Sequence, residues 1–190
     1  MKARADSQRE TRERIAEAAM ELHEEKGVAN TSVSEIARRA GVTRLTVYNH
    51  FADLSELIPA CAAHYEERHP MPDLAGELAI DDPAERVRAA LGGFYSWYRE
   101  TQPMFGKLFS DRASVPELDH FLTGNIDRFA AGLADGLAAG FGARGDAAER
   151  LGVMSRLAVD YWTWYRLTAE GLDDEAAAGL MATAIAACDA

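Results

Sequence analysis

Arg44, Thr46, Tyr48 and Asn49 fall within six consecutive residues of the run TRLTVYNH and together offer a guanidinium fork, two hydroxyls and an amide. Groups of these types hydrogen-bond phosphate oxygens and the base edges of a major groove. A helix from about Thr43 to His50 buries Val47 and turns these side chains outward, and a short helix is an element that such a groove admits. The residues before it do the positioning. Ser32 and Glu35 stand at capping-box spacing, where each side chain satisfies a backbone donor at the other's position and starts a helix. Ile36, Ala37 and Ala40 give that helix an inward face. Gly41 follows where a left-handed residue must stop it, and Thr43 caps the next helix two residues later. The order is helix, glycine turn, helix.

No comparable set for catalysis is present. The chain has no G-x-S-x-G, no P-loop and no G-x-G-x-x-G. His120 stands near Glu117 and Asp119, a pattern that surface helices produce routinely. His64 and His69 flank Glu66 and Glu67, but five residues turn a helix through about 500°, which separates the imidazoles instead of pairing them on one metal. We therefore assign no catalytic residue, no metal ligand and no cofactor. Cys61 and Cys188 lack metal-ligand spacing and read as free thiols of a reducing compartment. No stretch approaches the ~20 apolar residues of a membrane span, so the expected location is the cytoplasm, with no membrane partner.

Charge is divided unevenly. The net charge is −11, of which residues 1–60 carry −1 and residues 61–190 carry −10. The acidic part is unsuited to DNA, and phosphate contacts fall to the first 60 residues, where Arg9, Arg12, Arg14, Lys26, Arg38, Arg39 and Arg44 lie. Each of these except Arg44 is equally well read as an ordinary solvated charge paired with a nearby glutamate.

Arg14 to Leu57, through RIAEAAMELHEEKG, TSVSEIARRAGV and TVYNHF, resembles the DNA-binding domain of the TetR family of bacterial transcriptional regulators. The resemblance covers about the first 60 residues. It implies an all-α chain in which residues 1–52 form a three-helix DNA-binding domain and residues 53–190 a helical ligand-binding and dimerisation domain. It also implies a homodimer that represses a pseudo-palindromic double-stranded operator and leaves it when a small apolar or aromatic effector binds. On that reading Arg44, Thr46 and Asn49 meet base edges, and Tyr48 and His50 hold phosphates. Thr31, Ser32 and Ser34 bind the backbone, with Thr43 and Leu45 completing the DNA-binding set. Four positions depart from the family pattern. His23 replaces an aromatic, Leu45 a common glycine and Leu54 a phosphate-gripping lysine, and Pro59 falls inside the fourth helix.

The remaining pattern is helical. A first helix runs from about Ser7 to Lys26, after a mobile arm. Asp53 and Glu56 open a fourth, which Pro59 kinks or delays to about Ile58. Asp82, Pro83 and Glu85 start another, which Gln102-Pro103 breaks before a short piece with Met104, Phe105, Leu108 and Phe109. Ser114 and Glu117 cap a long helix striped by Leu118, Leu122, Ile126, Phe129, Leu133 and Leu137. Two more, Asp146 to Glu170 and Asp174 to Cys188, make about nine. Gly132, Gly136 and Gly140 leave a ladder suited to close packing, and Ala176, Ala177, Ala178, Gly179, Ala182, Ala186 and Ala187 suit the last helix to a dimer interface.

Aromatic residues crowd the second half. Trp97, Tyr98, Phe105, Phe109, Phe121, Phe129, Tyr161, Trp164 and Tyr165, with Asn125 one turn from two of the rings, form the candidate effector site. Two other readings stay open: a DNA-binding protein that needs a protein partner and no effector, or a helical small-molecule domain whose DNA binding is weakened by Leu54.

Overall fold

The computed structural model describes residues 2–189. Every regular element among them is helical. The elements are α1 (Lys2–Lys26), α2 (Val33–Arg39), α3 (Arg44–His50), α4 (Leu54–Arg68), α5 (Ala75–Leu78), α6 (Pro83–Asp111) and α7 (Pro116–Leu122). A π-helical turn, Thr123–Asp127, leads into α8 (Arg128–Ala139). Then come α9 (Asp146–Ala158), α10 (Tyr161–Ala169), α11 (Asp174–Ala186) and a 3-10 turn, Ala187–Asp189. None of the described helices is long and apolar enough to cross a membrane.

Two compact units form, Met1–Pro70 with Thr101–Gly124, and Met71–Glu100 with Asn125–Ala190. In the first, Ile15, Ala19, Met20 and Leu22 of α1 are buried with Ile36 of α2, Val47 of α3 and Leu57 of α4. Leu118 and Leu122 of α7 join this core, and α7 packs on α4. In the second, Leu91, Phe94, Tyr95 and Tyr98 of α6 are buried with Leu137 of α8, Leu151 and Ala158 of α9, Trp164 of α10 and Ile185 of α11. Cys61 and Cys188 are free thiols, and burial pushes that of Cys61 up to about 12.

Several boundaries differ from the sequence pattern. Residues 2–6, expected to be a mobile arm, are helical, and Arg9 pairs with Asp6 at 3.7 Å and with Glu13 at 3.6 Å along the same helix. Neither interior proline breaks its helix. Both Pro59 and Pro103 are exposed, so the hydrogen bond each forgoes lies toward water, while neighbours on the opposite face stay buried. Ser114 does not cap α7. Its hydroxyl donates to the Asp111 carbonyl at 2.9 Å, and Pro116 at the first turn starts the helix instead. The long helix after it is interrupted by the π turn, which inserts residues into the 3.6 repeat and leaves Asn125 exposed. The expected helix from Asp146 to Glu170 is two, because the Asp160 side chain accepts the Thr163 N–H at 3.0 Å and starts α10 afresh.

The small residues also serve differently. Ala177, Ala178 and Ala182 are buried in the chain's own second unit and are not left free for a partner. Of the glycine ladder, Gly140 receives the Arg86 guanidinium and Gly136 lies near the Leu78 side chain, whereas among the described residues no atom outside its own helix backbone lies within 4 Å of where a Gly132 Cβ would stand.

Candidate nucleic-acid interface

The turn between α2 and α3 is built from short-range hydrogen bonds. The Glu35 N–H donates to Ser32 Oγ at 3.3 Å, and the Ser32 N–H donates to Glu35 Oε2 at 3.1 Å. Lys26 Nζ donates to the same carboxylate at 2.5 Å, and with Ser32 it draws the Glu35 pKa down to about 2. Gly41 has φ of +67°, the left-handed conformation that a side chain would strain, and lets the Val42 N–H reach the Ala37 carbonyl at 2.9 Å. Thr43 Oγ1 then accepts the Thr46 N–H at 3.1 Å and starts α3.

With about 100° per residue, Tyr48, Leu45 and Asn49 follow Arg44 around α3 at roughly 40°, 100° and 140°. All four are exposed, whereas Val47 is buried on the opposite side. The far end of the helix is also held. Arg12 donates to the His50 carbonyl, and its guanidinium lies 3.9 Å from the centroid of the Phe51 ring. α3 is thus a short helix secured at both ends with these four side chains on its outer side.

Most nearby cations are committed elsewhere. Arg39 binds Glu21 at 3.1 Å and Glu25 at 2.7 Å, Lys26 binds Glu35, and Arg9 and Arg12 have the partners given above. Among the described residues, Arg14, Arg38 and Arg44 are exposed and make no hydrogen bond or ion pair. Of the polar candidates, Ser34, Tyr48 and Asn49 are exposed, while the hydroxyls of Thr31, Ser32, Thr43 and Thr46 are used in local bonds. Sequence pattern gave no sign of Arg12's role, since its partner carbonyl lies 38 residues away.

A family model described as bacterial regulatory proteins, tetR family, matches residues 15–61, the segment just described. Over residues 15–61 this chain is thus similar to the TetR family. SrpR of Pseudomonas putida, an HTH-type transcriptional regulator, is 40% identical to it over 83 residues, or 43% of this chain and 38% of SrpR. TtgW, an uncharacterized HTH-type transcriptional regulator also from Pseudomonas putida, is 39% identical over 84 residues, or 44% of this chain and 61% of TtgW. The chain thus matches less than two thirds of the length of either relative. A TetR-like transcriptional regulator from Rhodococcus sp. RHA1 shares the fold, with a TM-score of 0.60 over 92% of this chain and 93% of its own at 19% identity. These similar proteins are named transcriptional regulators, and the matched segment of this chain contains its helix-turn-helix.

The residues expected to hold an effector are divided between the two units. Phe105, Phe109 and Phe121 belong to the first, and Trp97, Tyr98, Asn125, Phe129, Tyr161, Trp164 and Tyr165 to the second. In the second, the Tyr98 ring meets Tyr161 edge-on at 5.3 Å and Trp164 at 5.6 Å. Two of the tyrosine tips in this unit have structural partners. Tyr95 and Tyr98 donate to the carbonyls of Ala158 at 2.6 Å and Val159 at 2.9 Å, satisfying the end of α9. Trp164 Nε1 donates to Asp174, which also receives Arg99. Asn125 does not lie buried between rings, because the π turn exposes it.

Proposed function

We propose that this protein is a transcriptional repressor that binds a pseudo-palindromic DNA operator as a homodimer and is released by a small apolar or aromatic ligand. The observation that carries the reading is the outward arc of α3, where Arg44, Tyr48 and Asn49 are exposed and both helix ends are held. On this reading Arg44 and Asn49 read base edges and Tyr48 holds a phosphate. Thr46 and His50, expected at base edge and phosphate, are only partly exposed. The functional division is residues 1–52 for DNA and 53–190 for effector and partner.

Selection of bound duplexes from a random pool tests the DNA reading, and a pool with no enriched sequence refutes it. With the selected operator in hand, Arg44→Ala should cost about 1–3 kcal/mol and relax the preference at one base pair, while Tyr48→Phe should weaken all sequences alike. An equal loss for Arg44→Ala on every base substitution would place its guanidinium on phosphate.

The dimer is supported by α9 and α11, which pack together and carry the exposed apolar side chains Val153, Leu157 and Leu180. A two-fold copy would cover them and set two recognition helices on equivalent half-sites. Leu180→Glu should yield helical monomers with at least tenfold weaker operator binding, as read by sedimentation and mobility shift. A wild-type monomer at micromolar concentration would refute the assignment.

The effector is supported by the aromatic cluster of the second unit and by Ser155 Oγ. That hydroxyl is fully buried without a hydrogen-bond partner among the described residues. A ligand can release the operator only by binding the DNA-incompetent state more tightly. Screening aromatic and lipid-like compounds for tryptophan quenching together with operator release tests this part.

A further inference from the structure

Leu45 is 69% exposed, the most exposed of the large apolar side chains described. Isolated surface leucines are ordinary, but the place of this one is not. It sits near the middle of the outward arc of α3, between Tyr48 and Asn49, roughly opposite the buried Val47. Tyr48, three residues on, borders it along the same face. Nothing in the fold uses the side chain, because burial of α3 is carried by Val47 and its ends are fixed by Thr43 and Arg12.

An apolar group carried into a major groove displaces water from whatever it covers. Against the polar edges of guanine, adenine or cytosine it would strand donors or acceptors without partners, a cost no contact of its own repays. Thymine differs, since its 5-methyl group is the one apolar feature that the four base pairs display there. Residues at the start of a recognition helix are also those that reach base edges, and Leu45 is the second residue of α3.

We infer that Leu45 is a specificity-determining residue that packs on the 5-methyl group of one thymine in each operator half-site. The inference rests on the DNA-binding reading above and adds to it the identity of a base. The neighbouring guanidinium and amide would then fix register, while Leu45 rejects a cytosine at that pair.

The test uses the full-length protein and the duplex selected from a random pool. Each thymine is replaced singly by deoxyuridine, which removes only the methyl group and leaves every hydrogen bond of the pair in place. One thymine per half-site should then weaken wild-type binding about fourfold, the worth of one buried methyl-sized group. The Leu45→Ala protein should bind thymine and deoxyuridine duplexes alike at that position and keep the wild-type melting temperature. Selected duplexes indifferent to deoxyuridine everywhere would overturn the inference and leave the DNA-binding reading standing. A Leu45→Ala protein that still discriminates the methyl would likewise assign it to another side chain. Absence of any selected duplex would instead overturn the DNA-binding reading, and this inference with it.

Discussion

Gly27→Ala is expected to lower the stability of the unit formed by Met1–Pro70 and Thr101–Gly124 by about 2–4 kcal/mol, from two separable causes. Gly27 ends α1 with φ of +87°, and an L-residue held there costs about 1–2 kcal/mol. The second cause is contact. A Cβ at this position would collide with Asp111 Oδ2, at the end of α6. That oxygen accepts the Ala29 N–H at 3.0 Å, so a carboxylate that swings aside gives up a charged hydrogen bond of about 1–2 kcal/mol at an exposed site. Denaturant unfolding of Gly27→Ala, Asp111→Ala and the double variant separates the two. In the Asp111→Ala background the glycine substitution should cost only its backbone part. The same cost in both backgrounds would mean that Asp111 does not crowd Gly27.

How much of the fold could be read in advance follows from the range of each interaction. The Ser32 and Glu35 box, the left-handed Gly41 and the Thr43 cap are contacts across three or four residues, and all three stand in the structure as the spacing predicts. The two prolines mislead because burial on the opposite helix face outweighs one lost hydrogen bond facing water. The breaks around residues 123–127 and at Asp160 were harder. A π turn has no fixed sequence mark, and Asp160 caps α10 within a run of otherwise apolar and aromatic residues.

The candidate site divides the same way. Which side of α3 faces outward is set by the helical period and Val47, so Arg44, Tyr48 and Asn49 were legible together, whereas Thr46, expected outward with them, is only partly exposed and its hydroxyl meets that of Thr43. Which arginines remain available is a tertiary matter. Arg39 is neutralised by Glu21 and Glu25, 18 and 14 residues back, and Arg12 is taken up by the His50 carbonyl. In the second unit, the tips of Tyr95 and Tyr98 close the end of α9, an arrangement that composition cannot express.

His23 sets the last expectation, a loss of stability on mild acidification. It occupies the inward face of α1, is 4% exposed, and its Nε2 has no hydrogen-bond partner among the described residues. Burial disfavours the imidazolium and lowers its pKa from 6.5 to about 4, against an opposing pull from the Asp111 carboxylate. Between these values the unfolded chain binds the proton and the folded chain does not. The stabilisation is therefore complete above the unfolded value and is lost as pH falls toward the folded one, by about 3 kcal/mol in all. Glu35, whose pKa is also lowered, acts below its ordinary value of 4.5, so the slope between pH 5 and 6.5 belongs to the histidine. His23→Phe should flatten that slope. By removing a buried polar atom without a partner, it should also hold or raise stability at pH 7. Urea midpoints across this pH range, with the imidazole resonances followed by NMR, provide the check. A His23 ring that titrates near 6.5 in the folded protein would sink the expectation, because burial would then impose no penalty on its charge.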